Sequence, residues 1–187
     1  MQQAVRFLGT FWLKLPCRSL IVGLIAAGIG VAVGRTVLGR ISVVAGNSMS
    51  PTFEPGMWVR ATSISGDLAR GDVVVLDDGS PEYALKRVIG LPGETVHVWR
   101  GYVFINRRIL LEPYIPKQVY TFPRERQAVF VLGPHQYFVL GDNRPASSDS
   151  RSYGPIERNQ IKGQVPLPPD APHYRFGPMT VKPYGES

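Results

Sequence analysis

Two residues in this chain could together carry out nucleophilic chemistry without a cofactor. They are Ser48, in Gly46-Asn-Ser-Met-Ser-Pro-Thr52, and Lys86, in Leu85-Lys-Arg-Val-Ile-Gly-Leu-Pro-Gly-Glu94. A serine hydroxyl is a weak nucleophile until a base takes its proton. Gly46 lets the backbone approach closely and Pro51 fixes the chain just after it, so Ser48 can be held rigidly where Ile41-Ser-Val-Val44 ends. Alone, such a stretch is an ordinary turn. Lys86 changes its meaning, because it interrupts an otherwise apolar run. A lysine on a buried face loses hydration, which disfavours the ammonium and lowers its pKa. The neutral amine can then accept a hydroxyl proton near neutral pH, the logic of a Ser-Lys dyad.

A third segment, Gly141-Asp-Asn-Arg-Pro-Ala-Ser-Ser-Asp-Ser-Arg-Ser-Tyr-Gly154, is dense in short polar residues that bond to backbone, as expected of a loop that orients a neighbour. Other chemistries fit less well. His97, His135 and His173 stand outside any triad context, and neither Cys-x-x-Cys nor His-Glu-x-x-His is present to hold zinc. Cys17 is the single cysteine, which excludes an intramolecular disulfide. No metal and no organic cofactor is expected.

The elements that must position these groups read as short strands. Residues 73–76 form a continuous apolar run, and 83–89 alternate, with Ala84, Lys86 and Val88 on one face and Leu85, Arg87 and Ile89 on the other. Residues 95–99 and 102–105 flank Arg100-Gly101, a hairpin. Runs at 129–132 and 137–140 bracket Gly133-Pro134. No helical stripe of comparable length occurs in 41–165, so a mainly β catalytic domain of short antiparallel strands is expected over 39–165. Residues 166–187 hold six prolines and few aliphatics, and read as an extended or mobile tail.

Ahead of that domain, 19–34 (SLIVGLIAAGIGVAVG) is an uncharged run of 16 residues. With flanking residues it makes a transmembrane α-helix over 17–38, after a cytoplasmic segment at 1–16. It lacks a clear Ala-x-Ala exit, which argues for an uncleaved anchor. The net charge of +7 concentrates there: 1–40 carry Arg6, Lys14, Arg18, Arg35 and Arg40, and the first acid is Glu54. Beyond residue 40, 16 basic and 14 acidic residues leave +2. The counter-charge is then a lipid bilayer rather than nucleic acid, for which no reading motif is present.

Taken together the segments resemble the type I signal peptidase family, including its mitochondrial inner-membrane relatives. Ser-Met-x-Pro-Thr stands at 48–52, Arg-Gly-Asp-Val-Val at 70–74, Lys-Arg-Val-Ile-Gly-Leu-Pro-Gly at 86–93, and Gly-Asp-Asn-Arg…Ser-x-Asp-Ser-Arg…Gly at 141–154. Their order and spacing match over roughly 20–165. By position, the resemblance implies that Ser48 is the nucleophile and Lys86 the general base. Ser147 would orient the lysine amine, and ion pairs would join Asp149 to Arg151 and Asp142 to Arg87. Gly46 stands where many members carry a serine that helps bind the oxyanion, leaving the Ser48 N–H and a neighbouring amide to serve. Pro145-Ala146 replaces a frequent Asp-Asn. Met49, Phe53, Ala84 and Leu85 are candidate walls for small substrate side chains. Met57 and Trp58 are candidates for contact with lipid headgroups, or else for core packing.

The implied activity is cleavage of N-terminal signal peptides from exported preproteins by a monomer. It would be single-pass in the cytoplasmic membrane, with its catalytic domain on the outer side. A mitochondrial inner membrane fits the chain less well, since the Gly-Asp-Asn-Arg form is the bacterial one. Two rivals share features: self-cleaving stress-response repressors, which have a DNA-reading domain in place of the apolar span, and a membrane-tethered pseudo-protease that binds peptides without turnover.

Overall fold

The computed structural model describes residues 40–77, 79, 82–169 and 180–183. The expected segments at 1–16 and 17–38 lie outside the described residues, as does most of the tail. Among the described residues no helix is long and apolar enough to cross a membrane.

In chain order the strands are β1 (Arg40–Val43), β2 (Trp58–Ala61), β3 (Val73–Leu76), β4 (Ala84–Gly90), β5 (Thr95–Trp99), β6 (Tyr102–Ile105), β7 (Arg108–Leu111), β8 (Val129–Val131) and β9 (Gln136–Leu140). A one-turn helix, α1 (Ser150–Tyr153), precedes β10 (Ile156–Glu157), β11 (Ile161–Val165) and β12 (Thr180–Lys182). The expectation of a mainly β domain agrees with this architecture. β1 and β2 form an antiparallel ribbon; a central sheet runs β10-β9-β4-β3-β11, and a second sheet runs β12-β7-β6-β5-β8.

Local sequence explains most of this. β3 is Val-Val-Val-Leu, whose branched side chains suit a strand packed on both faces. β5 alternates as a half-buried strand should, with Val96 and Val98 fully buried and Trp99 exposed. Arg100 and Gly101 both take positive φ (49° and 87°), the twist a two-residue hairpin needs. The runs around Gly133-Pro134 part company instead: β8 pairs with β5 and β9 with β4, so the chain changes sheets there. The tail is not wholly loose either. Thr180–Lys182 pairs with β7, where Val181 packs on the core and the strand supplies hydrogen-bond partners to an otherwise open edge.

The two larger sheets meet over Ile89, Val96, Val98, Val103, Phe130 and Phe138. Gly90 permits that contact, since a Cβ there would lie 2.5 Å from Val96 Cγ2 and 2.7 Å from Leu132 Cδ1. A separate cluster of Met49, Phe53, Val73 and Val165 seats the loop between β1 and β2 on the central sheet.

Candidate active site

Ser48 lies in that loop, which is closed at its base by Val44 N–H to Met57 O (2.9 Å) and Gly56 N–H to Val44 O (2.8 Å). Inside it, Phe53 N–H donates to Met49 O (2.9 Å), a tight turn whose apolar side chains are buried at 1% and 2% exposure. The half-buried Ser48 hydroxyl is thus held from below by two core anchors. Lys86 stands opposite on β4, paired with Val74 across the sheet and only 4% exposed. Its Nζ donates to Ser48 Oγ at 3.2 Å and to Leu85 O at 3.1 Å. Two residues separated by 38 positions therefore meet at hydrogen-bond distance.

The loop from Gly141 to Arg151 closes over Ser48 from the third side. Asn143 N–H donates to Ser48 O (3.0 Å) and its Nδ2 to Asn47 O (3.1 Å). Gly141 makes this approach possible: a Cβ there would fall 2.2 Å from Ser147 Oγ and 2.5 Å from Ser48 O. Gly141→Ala is therefore expected to cost about 1–3 kcal/mol of stability through overpacking and, by shifting Ser48 relative to Lys86, to slow any reaction that pair carries about tenfold or more. Thermal unfolding and initial rates would check both. An unchanged rate would show that the 48–141 contact tolerates displacement.

Asp149 caps α1 and accepts from Arg151 Nε (2.8 Å), Arg151 Nη2 (2.8 Å) and Gly141 N–H (3.1 Å). Burial pushes its carboxyl up, but the hydrogen bonds and charge of Arg151 outweigh this and, with the Gly141 amide, hold it below the usual carboxylate range. Ser147 lies close enough to favour the charged Asp149, yet its own buried Oγ completes no hydrogen bond with any described residue, Lys86 included. Lys86 Nζ bonds Ser48 Oγ and Leu85 O.

Next to Lys86 on β4, Arg87 is 1% exposed and grips Asp142 through Nε (2.8 Å) and Nη2 (2.6 Å). Nη1 reaches Gly71 O (2.9 Å), and Thr52 Oγ1 donates to Asp142 Oδ2 (2.5 Å). Burial pulls the guanidinium down, but Asp142 outweighs it and keeps Arg87 above its ordinary value. One knot thus ties the Ser48 loop, the Lys86 strand and the 141–151 loop. Arg144, equally buried, binds Gly141 O (3.0 Å), Glu112, Thr121 and the Tyr114 hydroxyl.

The structure brings Ser48, Lys86, Ser147, Asp142, Arg87, Asp149 and Arg151 into one neighbourhood. Among the candidate walls, Met49, Phe53 and Leu85 share a cluster, whereas Ala84 packs against the neighbouring one around Val74 and Val88. Strand alternation is the reason, since 84 and 85 face opposite ways. Gly46 is exposed, with open space around it. Met57 and Trp58 are 38% and 75% exposed, beside Ile41 and Val43 at 60% and 44%, so they are not core. Sequence reading passed over Thr52, Asn143 and Arg144, although each sat inside a recognised motif. It gave no hint of Glu112 or Tyr114.

Comparison with known proteins identifies the family of this chain. A family model described as signal peptidase, peptidase S26, matches residues 17–168. Signal peptidase IB of Staphylococcus aureus (strain MRSA252) is 33% identical over an alignment of 159 positions that covers 74% of this chain and 83% of that protein. Signal peptidase I of Bacillus licheniformis is 36% identical over an alignment of 144 positions that covers 69% of this chain and 75% of that protein. A crystal structure of a signal peptidase I from Enterococcus faecalis V583 aligns with TM-score 0.47 and 30% identity, covering 55% of this chain and all of that one. With the family match spanning most of its length, this chain belongs to the signal peptidase family, peptidase S26, and is a peptidase of that family.

Proposed function

We propose that the protein is a membrane-anchored serine endopeptidase that removes N-terminal signal peptides from exported preproteins, with Ser48 as nucleophile and Lys86 as general base. The observation that carries this reading is the 3.2 Å contact between a hydroxyl and an amine that is 4% exposed. Burial disfavours the ammonium, so a substrate that completes the enclosure leaves Lys86 as an amine able to take the serine proton. Ser48 Oγ attacks the scissile carbonyl. Lys86 returns the proton to the leaving amine of the mature chain, and the signal peptide stays esterified to Ser48. Water deprotonated by Lys86 then hydrolyses the ester and frees the signal peptide. Ser147, whose hydroxyl has unused bonding capacity, would steady the amine once Lys86 turns from Leu85 O.

The oxyanion falls to the Ser48 N–H and a neighbouring amide, because Gly46 offers no hydroxyl. The space at Gly46 accommodates a serine. Gly46→Ser is expected to fold normally and to change turnover only a few-fold. A rise on the order of 10²-fold, the worth of one missing oxyanion donor, would show that backbone donors do not suffice.

The apolar 17–38 segment, the exposed Ile41 and Val43 just after it and the exposed Met57 and Trp58 on or beside the paired β2 support attachment to the cytoplasmic membrane, and the catalytic domain is placed on its outer side. The decisive experiment incubates the detergent-solubilised protein, wild type and Ser48→Ala, with a preprotein and locates the cut by mass. Cleavage after small residues, absent in the variant, is expected. If Ser48 is not acylated by a β-lactam-type inhibitor and no cut occurs, the peptide-binding pseudo-protease is the correct reading.

A further inference from the structure

We propose that Tyr114 is a positioning residue for the catalytic pair, one phenol ring that holds both the Lys86 strand and the loop clasping Ser48; this rests on the Ser48–Lys86 reading above. Tyr114 follows β7 in the sheet that supplies neither reacting group, and it is 1% exposed. Its ring lies 4.1 Å beneath the Arg87 guanidinium carbon, directly after Lys86 on β4. Its hydroxyl donates to Glu112 Oε1 (2.6 Å) and accepts from Arg144 Nη2 (3.2 Å). Arg144 in turn holds Gly141 O at 3.0 Å, two residues before the Asn143 amide that binds Ser48 O.

The chemistry asks for an aromatic ring here. Arg87 and Arg144 are two buried cations that repel each other, balanced by Asp142 and Glu112. An aromatic face attracts a cation without bringing a further charge, and the phenol oxygen accepts from the second. Burial, then the charge of Glu112, pushes the Tyr114 hydroxyl well above its usual range, so it stays protonated and remains a donor to that carboxylate. An aliphatic side chain of the same bulk would fill the space but orient neither arginine.

The test compares Tyr114→Leu, Tyr114→Met, Tyr114→Phe and Ser48→Ala in the full-length, detergent-solubilised protein, with rates expressed per site titrated by an acylating inhibitor. The Leu and Met variants are expected to lose kcat by on the order of tenfold to a hundredfold, as small misplacements of reacting groups do, with KM for a preprotein nearly unchanged. The acid limb of their pH–rate profile should move to higher pH, because a looser Lys86 is better hydrated and keeps its proton longer. Tyr114→Phe keeps the ring over Arg87 and loses only the hydroxyl link to Arg144, so its rate should fall between Leu and wild type, with the limb at its wild-type position. Met serves if Leu fails to fold. Fewer titratable sites with wild-type kcat per site and an unmoved limb would overturn the proposal, since that is what loss of folded protein alone produces. A Phe variant as slow as Leu would also overturn it. Cleavage retained by Ser48→Ala would instead overturn the dyad beneath it.

Discussion

Lys86→Met should lower kcat/KM for a preprotein by on the order of 10⁴–10⁶, the range seen when one member of a catalytic unit is removed. Methionine keeps most of the buried stem and loses only the amine, so the fold is retained and the thermal midpoint changes little. The loss is large because the Lys86 amine is the basic group at the Ser48 hydroxyl among the described residues; the Asn143 backbone and side-chain amides nearby act on Ser48 O and Asn47 O, and these donate. Ser48→Ala should be equally inactive. The double variant should be no worse than either single, because groups acting as a unit do not add. In the wild type the rate should fall on acidification, as the amine takes up a proton and can no longer act as base. Near-normal cleavage by Lys86→Met, or a rate flat well below neutral pH, would remove the dyad from the mechanism.

The second large effect is on stability. Asp142→Ala leaves the Arg87 guanidinium buried without its carboxylate, which typically costs about 3–5 kcal/mol. For a domain of this size that is a drop in Tm on the order of 10 °C. Thr52 and the 141–144 backbone lose their shared anchor with it, so cleavage should fall as well. Arg70→Ala provides the contrast. Its partner Glu94 directly follows a signature segment, but the pair is 14% and 17% exposed. Water therefore compensates in part, and a smaller loss is expected. Urea or thermal unfolding of the two variants ranks them. Equal losses would mean that the depth of the 87–142 pair does not set its cost.

Several strands were legible because their patterns were unambiguous. The Val-Val-Val-Leu run, the alternation at 95–99 and the Arg-Gly turn each carry a local signal that tertiary contacts had no reason to overrule. Sheet membership was not legible in this way. The two runs that bracket Gly133-Pro134 say nothing locally about their partners, and only competition among all strands sends them to different sheets. β12 has the same origin: three residues in a proline-rich tail form a strand because an open edge of β7 and an apolar patch were waiting for them.

The division is clearest at the site. Residue types and spacing, read with the family motifs, single out Ser48 and Lys86 as the candidate nucleophile and base, together with the loop beside them, because a lysine inside an apolar strand and a serine in a glycine-led turn can carry chemistry as a pair. What tertiary structure alone decided is which charges are buried together. Tyr114 and Glu112 acquire their significance only where two sheets pack and enclose Arg87 and Arg144. Exclusion of water is a property of that packing, which no single stretch of chain encodes, and it sets the strength of every charge it encloses.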